Sequence, residues 1–120
     1  MRVDLIKFVK SDKGELISVP ACEEYVGLAT ILNEWNCVEG AEFMEEILQK
    51  WNSGGEAIAI QSEGDEYVVT IDKEQAVSER RDRNFGGDYF IIRALKFDVE
   101  DAIETIEAWC DYIIRGKEVY

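Results

Sequence analysis

The chain has 120 residues, 47% hydrophobic and 32% charged with a single proline, a folded-domain composition that excludes disordered and collagen-like chains. Asp and Glu number 26 against 13 Lys and Arg, with no His, for a net charge of −13. So acidic a surface repels phosphate backbones and argues against direct binding to nucleic acid or an anionic membrane.

The length suits one domain, residues 1–120, since about 100–200 residues is usual for one. Charges at every second or third position among the first ten residues do not fit an export signal. No window approaches the roughly 18 apolar residues of a membrane span. Cys22, Cys37 and Cys110 are odd in number, widely spaced and without a Cys-x-x-Cys pair. They fit a reducing cytoplasm better than a disulfide framework or a zinc site.

In chain order, partial alternation from Val3 to Val9, turn residues Ser11-Asp12-Lys13-Gly14 and the run Leu16 to Val19 predict a hairpin. Beyond Pro20, Tyr25, Leu28, Ala29, Leu32 and Trp35 stand at helical spacing, predicting a helix from about Ala21 to Trp35. Asn36, with Glu39 three residues on, is the expected N-cap of a second helix whose stripe is Phe43, Met44, Ile47, Leu48 and Trp51. Ser53-Gly54-Gly55 ends it.

Alternation then resumes from Ala57 to Ile60 and from Tyr67 to Ile71 around Glu63-Gly64, predicting a second hairpin. The stretch from Asp72 to Gly87 is polar and reads as a loop. The uniformly apolar run from Tyr89 to Phe97 predicts a central strand. Asp98, with Asp101 three residues later, is the expected cap of a last helix carrying Val99, Ala102, Ile103, Ile106, Cys110 and Ile113 and ending at Arg115-Gly116-Lys117. The order ββααβββα gives an α+β fold: an antiparallel sheet of about five strands with three helices packed on one face.

The charge is concentrated. Residues 20–66 hold one basic and eleven acidic groups and residues 98–120 two basic and seven acidic, whereas the remainder is near neutral. Glu100, Glu104, Glu107 and Asp111 form an unbroken row on the last helix, in which Asp111 alone has a basic i+4 partner, Arg115. Glu39, Glu42 and Glu46 form a second row, with Lys50 opposite Glu46. Each like-charge contact costs about 0.2–0.5 kcal/mol. Such rows are either solvated faces kept acidic for solubility or surfaces made to steer a basic partner. Trp109, beside the last helix's stripe, is expected to be partly exposed and to anchor that interface, whereas Trp35 and Trp51 are expected in the core.

The one basic cluster, Arg80, Arg81 and Arg83 with Phe85, reads as a self-neutralised loop or as a secondary contact loop for the same partner. Gly54-Gly55 and Gly86-Gly87 lack the spacing of a phosphate loop, and Ser62-Glu63-Gly64-Asp65-Glu66 lacks the ligand pattern of a calcium loop. Without His, the usual nucleophile–base and metal arrangements are missing, so no catalytic residue, metal or cofactor is expected. None of the cysteines has a basic neighbour that would activate it.

These features point to a cytoplasmic binding protein of the immunity or antitoxin type, occluding a basic toxin or nuclease-like partner. Its expected contact residues are Glu39, Glu42, Glu46, Glu100, Glu104, Glu107, Trp109 and Asp111. The alternatives are a nucleic-acid mimic or regulatory adaptor blocking a DNA-binding protein and, last, an enzyme using carboxylates.

Overall fold

The computed structural model describes residues 6–10, 12–13 and 16–116. The expected strand start at Val3, the turn residues Ser11 and Gly14 and the terminal Lys117 lie outside the described residues. β1 (Ile6–Lys10) and β2 (Leu16–Pro20) pair antiparallel, with Ile6 opposite Pro20 and Phe8 opposite Ser18. A 3₁₀ turn at Glu23–Tyr25 leads into α1 (Val26–Glu34), so the first helix starts later than its apolar spacing suggests.

α2 (Val38–Asn52) is capped by Cys37, not by Asn36: the Cys37 sulfur accepts the Gly40 N–H at 3.3 Å. β3 (Ala57–Gln61), β4 (Tyr67–Asp72), β5 (Ala76–Arg83) and β6 (Tyr89–Phe97) follow as an antiparallel meander. α3 (Val99–Arg115) closes the order; Asp98 caps its start by accepting the Asp101 N–H at 3.0 Å, and Gly116 ends it at φ +66°.

The strands form two antiparallel sheets rather than one of five strands: β1–β2, and β3–β4–β5–β6. The separation has a local cause. Asn33 of α1 accepts the Ser18 N–H at 2.7 Å and donates to the Ser18 carbonyl at 3.1 Å, so an amide side chain fills the place a further strand would take beside β2. In the larger sheet Ile58 and Ile60, Val69 and Ile71, and Ala76 and Ser78 are buried on one face. α1 packs over β4 and β5, α3 against β4, and α2 against β3 and α3. One buried cluster joins them, from Ile6 and Phe8 to Met44, Ile106, Trp109 and Cys110.

Two expectations fail in the β5–β6 hairpin, for one reason: it extends past the helices. The polar segment read as a loop contains β5. Only its first residues, Ala76 and Ser78, are buried, and beyond them Arg80, Asp82 and Arg83 meet solvent. β6 is an edge strand, not a central one, and Tyr89, Phe90, Ile91 and Ile92 are all exposed. Arg80 pairs with Arg93 but Arg81 pairs with Ile91, leaving Ile92 as a bulge.

The tryptophans depart from expectation chiefly at Trp109, which is fully buried, whereas Trp35 and Trp51 are half-buried and pack against the core cluster. The inward stripe of α3 is wide enough to take Ala102, Ile106 and Trp109 together with Ile103 and Cys110.

Candidate functional site

The candidate site begins at the β4–β5 turn. Asp72 accepts the backbone N–H groups of Glu74 and Gln75, each at 2.8 Å, and these bonds hold its carboxyl below the usual carboxylate range. The turn so fixed sets the Lys73 ammonium 4.0 Å above the ring of Trp51, at the end of α2. Opposite them runs the first half of α3. Trp51, Lys73, Val99 and Ile103 with the carboxylates of Glu100, Glu104 and Glu107 line a groove of about 450 Å³.

A second hollow of about 230 Å³ continues it along the α2–α3 seam, from Glu107 past Leu48, Gln49 and Asn52 to Asp111 and Arg115. The two hollows share Glu107 and, taken together as the furrow, follow the carboxylate row of α3 from Glu100 to Asp111. Its far end is fastened between helices: Arg115 donates to both carboxylate oxygens of Glu45 at 2.9 Å and to Asp111 at 2.8 Å. This holds the Glu45 carboxyl below its ordinary value. Below the seam the Cys110 thiol donates to the Ala41 carbonyl at 3.5 Å, and burial, reinforced by Glu45 and Asp111, pushes that thiol up to about 12.

Glu107, at the junction, is held above the usual carboxylate range, first by loss of water contact and then by Glu104 and Asp111. Trp109 is on the buried side of α3 and cannot anchor a partner as expected. Glu39, Glu42 and Glu46 stand on the solvent face of α2, and none of them lines the furrow. α2 contributes Glu45 instead, a residue off the row that sequence spacing picks out.

The arginine cluster is separate from this site. Arg80 lies 3.6 Å from Glu66, Arg81 lies 2.6 Å from Glu79, and Arg83 bonds the Tyr89 hydroxyl with its guanidinium 4.5 Å above that ring. Arg80 and Arg81 are thus each set beside a carboxylate and Arg83 on a tyrosine, while Phe85 at the hairpin tip is fully exposed. Among the described residues no group of carboxylates and thiols is placed to hold a metal ion, and no helix is long and apolar enough to cross a membrane.

No family model, curated protein or solved structure matches this chain. The reading of the furrow therefore rests on its own chemistry. It offers carboxylates over an apolar floor, one cation–π pair at its mouth and one arginine clamp at its end. Chemically, such a groove is suited to a cationic side chain with an aliphatic stem.

Proposed function

We propose that this is a small acidic binding protein of the immunity or antitoxin type, whose α3 furrow occludes the cationic site of a basic toxin or nuclease-like partner. The observation that carries the reading is Glu107 itself, a carboxyl held above its usual range first by loss of water contact and then by Glu104 and Asp111. It lies with Glu100 and Glu104 over the apolar side chains of Val99 and Ile103. A face kept acidic only for solubility gains nothing from that crowding, because scattered charges solubilise equally well.

A partner's lysine or arginine set beside Glu104 and Glu107 would offset their repulsion, and its stem would cover Ile103. Complementary charge of this kind also raises association rates, by factors of about ten to a thousand. Inhibition then follows from occupancy: cations engaged by the furrow are no longer free to hold a polyanionic substrate. Glu39, Glu42 and Glu46 contribute long-range steering, and the contact itself belongs to Glu100, Glu104, Glu107 and Asp111.

The test uses the chain as bait in its native cell, with a Glu104→Lys/Glu107→Lys double variant beside it. The expected result is a basic protein retained by the wild type, released by high salt, absent from the variant, and inhibited by the wild type at a one-to-one ratio. Inhibition by the folded double variant, or affinity unchanged from low to high salt, rejects the proposal, since exposed charge contacts are screened within about 8–10 Å at physiological ionic strength. A DNA-binding domain as the retained protein would instead indicate nucleic-acid mimicry.

A further inference from the structure

A hollow of about 160 Å³ lies between the 3₁₀ turn, the start of α1 and the helix-covered face of β4, β5 and β6, and it shares no residue with the furrow. Strand register sets Tyr67, Arg80 and Arg93 in one cross-strand row at its rim, with Ser78 beside Leu95 in the next row inward. Like charges directly opposite on neighbouring strands repel, so the facing of Arg80 and Arg93 is itself unfavourable. It is the more unusual in a chain with 13 basic groups against 26 acidic.

Two further observations distinguish this hollow from a packing fault. Ser78 is only 7% exposed, yet no hydrogen bond joins its hydroxyl to any described residue, whereas buried polar groups are normally paired. Opposite it stands Gly27, where a Cβ would come 2.3 Å from the Ser78 hydroxyl oxygen and 3.1 Å from the Tyr67 ring. A side chain at that position would cover the hydroxyl. We propose that the hollow binds a small aliphatic monocarboxylate, with Arg80 and Arg93 as its cationic seat, the Ser78 hydroxyl as a further donor, and Val26 and Leu95 against the alkyl chain.

A guanidinium presents a planar fork of N–H donors that matches a carboxylate. Glu23 engages Nη2 of Arg93 at 2.6 Å, and Glu66 approaches Nη2 of Arg80 at 3.6 Å. All four side chains are more than half exposed. Exposed pairs hold weakly, so a bound carboxylate can share or displace them. The ligand's charge follows from the lining. Two arginines against Glu23 leave one positive charge in excess, which a single carboxylate neutralises. Glu24 and Glu66 stand beside the same arginines and oppose a dianion such as phosphate. Its size follows from the volume, because sites for drug-sized ligands run to about 300–1,000 Å³ and this hollow holds only a short chain.

Titration of the isotope-labelled protein with butanoate, followed by amide chemical shifts, tests the assignment. Saturable shifts are expected at Gly27, Ser78 and Arg93, with a dissociation constant of about 1 mM for so small a ligand. Butanamide, which lacks the charge, should leave the same amides unmoved. Arg93→Gln should weaken binding by at least about tenfold and Ser78→Ala by about threefold. Glu23→Gln should act in the opposite sense, tightening binding by about threefold, because it removes the carboxylate that competes for Arg93. Arg83→Gln makes the same change in net charge outside the hollow and should leave the affinity within about twofold. No saturable shift up to about 20 mM butanoate, a response to butanamide or inorganic phosphate as strong as that to butanoate, or equal weakening by Arg83→Gln and Arg93→Gln in folded variants overturns the proposal.

Discussion

Replacing Glu107 with glutamine should stabilise the protein near neutral pH, although the residue lies in the proposed binding furrow. Glu104 precedes it by three residues and Asp111 follows by four, so it stands in two like-charge helical contacts of about 0.2–0.5 kcal/mol each. Glu107→Gln removes both and relieves the partial desolvation of the charge. The expected gain is about 0.4–1 kcal/mol at low salt, or roughly 1–5 °C in melting temperature for a chain of this size. Its pH dependence is diagnostic. Because Glu107 titrates above its ordinary value in the folded state, the folded protein binds more protons than the unfolded chain between the ordinary and the raised value. Wild-type stability therefore falls as pH rises through that window, and the penalty is absent below the ordinary carboxyl value, where both states are protonated. Thermal melts of both proteins at about pH 7 and pH 3 should show a gain at the first and none at the second. A destabilised variant at neutral pH, or a gain that persists in acid, would refute the crowding on which the proposed function depends. The same substitution should weaken partner binding, which separates a functional furrow from a solubilising face.

Glu45 should behave in the opposite sense. Arg115 holds its carboxyl below the ordinary value, so the stabilisation is present above the unfolded value and lost as pH falls through the folded one. Glu45→Gln should lower the melting temperature at neutral pH by less than about 3 °C, as expected for a largely solvated pair, and the difference should close on acidification. At Gly27, a Cβ would come 2.3 Å from the Ser78 hydroxyl and 3.1 Å from the Tyr67 ring. Gly27→Ala is thus expected to cost about 1–3 kcal/mol by overpacking, and Ser78→Ala to restore most of it. Additive effects in a double-mutant cycle by urea unfolding would disprove that close approach. Asn33→Leu removes both bonds to Ser18 and should cost about 1–3 kcal/mol; Asn33→Asp keeps the acceptor and should retain part of that, and equal losses would deny the amide its bridging role.

Local rules were readable where one face of an element is buried. The α3 stripe, its Asp98 cap and its glycine stop follow from residue spacing and from caps that use adjacent backbone. The antiparallel hairpins and the carboxylate row follow as readily. What could not be read depends on where elements end relative to each other. β5 looks like a loop because only Ala76 and Ser78 reach the core, and β6 looks central because an uncovered edge and a doubly covered strand share one apolar signature. Glu45, the acid that α2 contributes to the furrow, is invisible to a count of rows. Its partner Arg115 is seventy residues away in sequence. The α3 row was legible as a pattern, but the furrow that gives it chemistry required Trp51 and Lys73, which come from two other parts of the chain.

The spare residue at position 92 settles how the hairpin tip is built. Because Arg81 faces Ile91 and Arg83 faces Tyr89, the tyrosine ring falls on the same side as the Arg83 guanidinium and packs under it. Were the same residues paired regularly, Arg81 would face Ile92 and Arg83 would face Phe90, and the tyrosine would move one place along, into the turn. Deleting residue 92 would instead keep Arg83 opposite Tyr89 and remove only the local kink. A strand of this length therefore needs its bulge to bring the tyrosine, and not the phenylalanine, to the arginine at that end of the molecule.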